Sequence, residues 1–207
     1  MHQGCPLAPA PAVHAAFTER TGLRMGGEFT RGGLHLMAAY LYVDADSLHP
    51  LGLPPEGEAV VPGGETSGVE VAGRLPLLLM EGLALEGTYT EWVQGPLYRY
   101  MPQRTWSTRL TYQNDFLETR NLEVWADVGA HGRGGMEVPA LAPEEEAQLQ
   151  AVPSALEWSF RLQVRVQSVR AFVHWDNLTI RTDNQDFPGR ALPGARATWG
   201  IRWTMWN

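Results

Sequence analysis

His174 and Asp176 lie two residues apart in "HWD", so on an extended chain they share one face and could hold a metal ion or pass a proton between them. A metal site needs further ligands, and the sequence places none beside them. The alternative is a pair of polar strand residues satisfied by water and neighbours; His35 and His131 read the same way. Cys5 is the single cysteine, which rules out an intrachain disulfide framework and a zinc ribbon. No glycine-rich phosphate loop and no nucleophile elbow is present. No catalytic, cofactor-binding or metal-ligating residue is assigned, and an enzyme is not expected. The acid run Glu144 to Glu146 reads as the solvated start of a short loop helix opened by Pro143 and stopped by Pro153, with a cation or partner site as the alternative. The loop aromatics of "YRYM", residues 98 to 101, could touch a ligand or pack at an interface.

The elements that must position these residues are strands. Charged residues are 19% of the chain, against about 25% in ordinary soluble domains, and the 22 glycines and 15 prolines suit strands and long turns. A net charge of -7 without a basic cluster argues against a nucleic-acid partner. The longest apolar stretch, "LPLLLM", is far short of the ~18 to 20 residues of a spanning helix. The first twenty residues lack the basic and apolar regions of a secretory signal and are expected to be irregular, with the strand-bearing domain running from 21 to 207.

Period-2 alternation covers most of that domain. Leu23, Met25 and Phe29 oppose Arg24 and Glu28; Val69, Val71 and Leu75 oppose Glu70 and Arg74; Leu83, Leu85 and Tyr89 oppose Glu86. Trp106, Leu110 and Tyr112 oppose Arg109 and Gln113, and Leu122, Val124 and Val128 oppose Glu123 and Asp127. Trp158, Phe160, Leu162, Val164 and Val166 oppose Arg161 and Arg165, and the chain closes with Trp199, Ile201, Trp203 and Met205 against Arg202. With the less regular segments 33 to 43 and 168 to 178, about nine strands of roughly 9 to 12 residues result, longer than the ~5 to 6 usual in soluble sheets and suited to the ~9 to 11 of a tilted spanning strand. Short connections (31 to 33, 78 to 82, 114 to 120, 167 to 168) alternate with long ones (44 to 68, 94 to 103, 131 to 156, 179 to 195).

The expected fold is therefore all-β: an antiparallel transmembrane β-barrel segment of about nine long strands, with short turns on one side and long loops on the other. The apolar parity would meet outer-membrane lipid and the polar parity, with Arg24, Arg74, Arg109, Arg161, Arg165, Arg170 and Arg202, would line the lumen. Trp125 and Phe172 break the rule on the polar side and Glu91 on the apolar side, while Trp92, Trp158, Trp175 and Trp206 fall near strand ends, where an interfacial girdle would place them. Bacterial single-chain barrels close with an even number of strands, so an odd set implies the C-terminal part of a larger barrel. The alternatives are a stand-alone small outer-membrane pore or anchor barrel, and a soluble β-sandwich or lipocalin-like binding module.

Residues 170 to 207 carry a resemblance. Asn177 and Leu178 end the penultimate strand, an irregular loop follows, Pro193, Gly194 and Arg196 form a Pro-Gly-Arg-like step with Ala195 inserted, and the last strand alternates aromatics. This order resembles the C-terminal end of the TonB-dependent outer-membrane receptors; Asn207 after Trp206 departs from their usual aromatic terminus. The resemblance implies a barrel of ~22 strands with a plugged lumen, located in the bacterial outer membrane and serving active uptake of a scarce nutrient such as a metal chelate, vitamin or glycan. It also implies upstream strands, a plug domain and the TonB system as partners, without which this chain would be inactive.

Overall fold

The computed structural model describes residues 20–48, 61–93, 101–140 and 148–205. Thirteen strands follow in chain order: β1 (Arg20–Arg31), β2 (Leu34–Leu48), β3 (Val61–Pro76), β4 (Leu83–Trp92), β5 (Arg104–Phe116), β6 (Leu122–Arg133), β7 (Met136–Ala140), β8 (Gln148–Val152), β9 (Ala155–Val166), β10 (Val169–Asp176), β11 (Gln185–Phe187), β12 (Arg190–Ala191) and β13 (Arg196–Trp203). Nine of them form one sheet in the order β1-β2-β3-β4-β5-β6-β9-β10-β13. Every neighbouring pair is antiparallel. These nine are the strands that alternation predicts.

At one end the connections are tight. Gly32 and Gly33 join β1 to β2 with φ of 58° and 82°, the left-handed backbone that a two-residue hairpin of this twist requires. Gln167 takes φ 53° between β9 and β10. At the other end the strands run further than the alternation suggests. Asp44 pairs with Glu65 and Leu48 with Val61, because the backbone ladder continues where apolar side chains have stopped. The β6–β9 connection folds back as the hairpin β7–β8. Where the loop helix expected between Pro143 and Pro153 falls on described residues it is replaced by a strand: Gln148–Val152 pairs with β7, and Val138 and Val152 are buried on one face. Glu144 to Glu146 and residues 1 to 19 lie outside the described residues.

Burial across the sheet is the reverse of that in a soluble sandwich. Most of the best shielded residues of the nine-stranded sheet, Ala39, Val43, Ala45, Thr66, Ala84, Thr111 and Asp127, lie on the polar parity, with Ala130 an exception on the other. Leu23, Met25, Phe29, Val69, Val71, Leu75, Leu110, Trp199, Ile201 and Trp203 are bare, and all lie on the apolar parity. The register joins that parity across strands: Leu75 stands beside Leu85, Leu85 beside Leu110, Leu110 beside Val128, and Val128 beside Phe160. A continuous apolar surface of this extent suits hydrocarbon and not water.

The exceptions have local causes. Phe172 lies on the polar face over Gly200, where an added Cβ would come within 2.8 Å of the ring. Trp125, also on that face, has the Arg161 guanidinium 4.9 Å above its centroid. Outward-facing Thr108 returns its hydroxyl to the Glu86 carbonyl at 3.4 Å. Outward-facing Glu91 accepts a hydrogen bond of 2.8 Å from Tyr89 near the loop end and stands opposite Arg104 in the ladder. Trp92 corrects the girdle expectation: it lies on the polar face, packed against Val43 and Ala45. Trp206 lies outside the described residues.

The face assignment has a direct test. Leu162 sits on the apolar face between Ala126 and Val173, and neighbouring Arg161 sits on the other. Leu162→Arg should cost about 2 to 4 kcal/mol at mid-membrane depth and impair assembly into lipid vesicles far more than Arg161→Leu, read as the yield of protein that keeps a folded mobility on unheated gels. Equal losses would contradict the assignment.

Candidate functional site

The polar face collects most of the ionisable side chains of the sheet and pairs them strand to strand. Arg24 meets Glu70 at 3.0 Å, Arg74 meets Glu86 at 3.5 Å, Arg109 meets Asp127 at 3.4 Å, and Arg165 meets Glu123 at 2.7 Å. Gln113 donates to the second oxygen of Glu123 at 2.9 Å. Each partnership joins different strands, so it could not be read from the sequence without the register.

The candidate histidines enter the same pattern. His174 lies 3.2 Å from Asp176, as their spacing predicts, but Arg196 reaches the same carboxylate at 3.2 Å. His35 is 2.8 Å from Glu28 and His131 is 3.2 Å from Glu157. Among the described residues no group of three or more His, Cys, Asp or Glu side chains gathers where a metal ion could be held. Met101 is described, whereas Tyr98, Arg99, Tyr100 and Cys5 lie outside the described residues.

Mid-sheet on this face is a hollow of about 350 Å³, edged by His35, Arg74, Glu86, Arg109, His131 and Ser159. Its floor is small residues, Ala72, Gly73, Gly87 and Gly129, and its rim is charge. Thr88 and Ser107 share a 2.7 Å hydrogen bond at its edge. Such a wall can present donors and acceptors to polar matter in the lumen; it has no nucleophile paired with a base.

The loop end is pinned by asparagines. Asn177 takes φ 52° and is 2% exposed. Its Nδ2 donates to the Arg181 carbonyl at 2.7 Å and to that of Pro193 at 3.3 Å, and its Oδ1 accepts from the Arg181 amide at 3.1 Å. Asn tolerates the left-handed conformation better than most residues, so the Asn-Leu step both ends β10 and closes the loop that follows it. Asn184 donates to the Leu156 carbonyl at 3.1 Å, and Arg133 bonds the carbonyls of Pro153 and Gln185, tying that loop to β6 and β9. Nothing in the sequence signals the roles of Asn184 and Arg133.

No family model matches the sequence, and no curated protein is detectably similar to it. Solved structures are. A mutant of the ferric enterobactin receptor of Pseudomonas aeruginosa superposes with a TM-score of 0.59 at 16% identity, covering 88% of this chain and 30% of that one. The ferripyoverdine receptor of the outer membrane of Pseudomonas aeruginosa gives 0.57 at 17% identity, covering 90% and 27%. The FrpB iron transporter of Neisseria meningitidis gives 0.59 at 10% identity, covering 88% and 30%. The fold is that of the TonB-dependent receptor barrel. The chain spans less than a third of the length of each of these solved receptors, and the likeness agrees with the resemblance of its C-terminal segment.

Two variants probe the polar face and its loop end. Asp127 is 5% exposed and its Oδ2 has no hydrogen-bond partner among the described residues, so Arg109→Leu would strand a shielded carboxylate. That should cost about 1 to 3 kcal/mol in denaturant unfolding, and Asp127→Asn on the same background should recover most of it. Asn177→Ala removes the clip while leaving the sheet intact; limited proteolysis should then cut between residues 178 and 195 several-fold faster, with unchanged cleavage elsewhere.

Proposed function

We propose that this chain is the barrel portion of a TonB-dependent receptor in the outer membrane of a Gram-negative bacterium, serving active uptake of a scarce nutrient. The observation that carries the reading is the reversed burial: a bare apolar face continuous over nine antiparallel strands, and a polar face on which many of the charges pair across strands. A soluble sandwich would bury the apolar parity.

Closure argues for a larger barrel. Across successive antiparallel pairings, the first and ninth strands of the sheet, β1 and β13, run in the same direction. They cannot close on each other in an all-antiparallel barrel, so a small stand-alone barrel of these strands is disfavoured. The wall requires further strands, and a lumen of ~22 strands requires a plug. Among the nutrient classes, a metal chelate is favoured because the solved relatives are receptors for ferric enterobactin and ferripyoverdine and an iron transporter. The barrel's work is transport and not catalysis, energised through the plug by the TonB system, and the strands described are not active alone.

Membrane fractionation tests the reading. The protein should sediment with outer membranes, resist alkaline carbonate extraction, and change its gel mobility on heating. Recovery as a folded species in detergent-free buffer would sink the proposal.

A further inference from the structure

One rung of the polar face departs from the pairing rule. Next to the tight turns, Asp115, Glu123, Arg165, Arg170 and Arg202 stand side by side on β5, β6, β9, β10 and β13. Three guanidiniums occupy adjacent strands, and like charges directly opposite one another are destabilising. Glu123 is engaged directly by Arg165 and Gln113, with Arg170 in longer-range electrostatic reach of the same carboxylate. Asp115 is three strands from Arg170, about 14 Å at the usual strand spacing.

No carboxylate among the described residues is within ion-pair distance of Arg170 or Arg202, and the Arg170 Nε is shielded from solvent without an acceptor. The same arginines line a hollow of about 660 Å³ whose other walls include Asn121, Ser168 and Thr204, with no acid in its lining. Elsewhere on the face, Arg24, Arg74, Arg109 and Arg196 each have a carboxylate within reach, and Arg161 lies over the Trp125 ring. The surplus is local and positive.

We infer that Arg170 and Arg202 form a docking site for the carboxylates of a polypeptide segment seated in the lumen at its turn-side end. The inference rests on the receptor-barrel reading, in which such a segment belongs to the plug. The planar guanidinium fork takes a carboxylate through two parallel hydrogen bonds, so Asp or Glu side chains entering this corner would relieve the repulsion along the rung and give the shielded Arg170 Nε an acceptor. The polarity of the contact is thereby fixed: the wall supplies the cations and the inserted segment the anions.

The test uses the protein as it is expressed in the outer membrane, with whatever polypeptide it is joined to. Arg170→Lys and Arg202→Lys keep the charge and introduce amines that a water-soluble carbodiimide couples to a carboxylate in direct contact; peptide mass spectrometry then identifies the carboxylate. The expected result is an adduct to Asp or Glu in a segment outside the barrel strands, lost in Arg170→Gln and Arg202→Gln and reduced at least several-fold by molar salt. Adducts only to Glu123, Asp115 or another barrel strand, or none in protein that fractionates with the outer membrane and retains heat-modifiable mobility, would overturn the inference alone. Failure to reach the outer membrane would instead count against the receptor-barrel reading.

Discussion

Inside a bilayer no water is available to a peptide group, so every backbone donor and acceptor of a spanning sheet must be met by a neighbouring strand. The rest of this molecule follows from that constraint. It explains why the nine long strands are paired along most of their length, why the turns between them at one end are tight, and why the chain cannot insert strands singly. It also sets the chemistry of the two faces. Once the backbone is satisfied by the ladder, side chains on one parity are free to be wholly apolar, and those on the other must manage charge without bulk solvent on all sides.

How that second face manages charge is the most specific feature of the wall. Isolated exposed ion pairs contribute little to stability, yet here they recur along the sheet: Arg24 on β1 reaches across β2 to Glu70 on β3, while Arg74 with Glu86, Arg109 with Asp127 and Arg165 with Glu123 each link two neighbouring strands. A slip of one residue in either strand would turn one partner toward lipid and leave the other without it on the polar face, at a cost of several kcal/mol. The pairs therefore act on register more than on stability. Phe172 over Gly200 and Arg161 over Trp125 do the same at positions where the polar parity carries an aromatic.

Much of this was legible in the sequence because a period of two needs no knowledge of partners. Trp158, Phe160 and Leu162 against Arg161 and Arg165 mark a strand and its two faces in isolation, and the nine strands, their order and the side with tight turns follow from such local signals. What depends on the register does not. Asp127 and Arg109 are eighteen positions apart and meet only because β5 and β6 pair as they do. The segment Gln148–Val152 follows an acid run and precedes a proline, which locally favours a helix; pairing with Met136–Ala140 overrides that preference. Nearness to a strand end does not decide the face of Trp92, whereas parity, shared with Glu86 and Thr88, does. Asn177 was visible as part of a motif, but its clip was not, since its acceptors lie as far on as Pro193.

The two ends of the wall are built on opposite principles. At the loop end, short hairpins and the Asn177 and Asn184 clips hold irregular backbone against the strands, giving a rim whose shape is fixed by hydrogen bonds to main-chain carbonyls. At the turn end there is little backbone to shape, and specificity has to come from side chains at the last rungs. The arginines at 165, 170 and 202 are placed there, where a repulsive row is affordable only if something anionic is received. A wall that is charge-neutral along its middle and positive at its turn-side corner orients whatever fills it. Pairs in the middle have their own partners, whereas the corner favours one sign of charge.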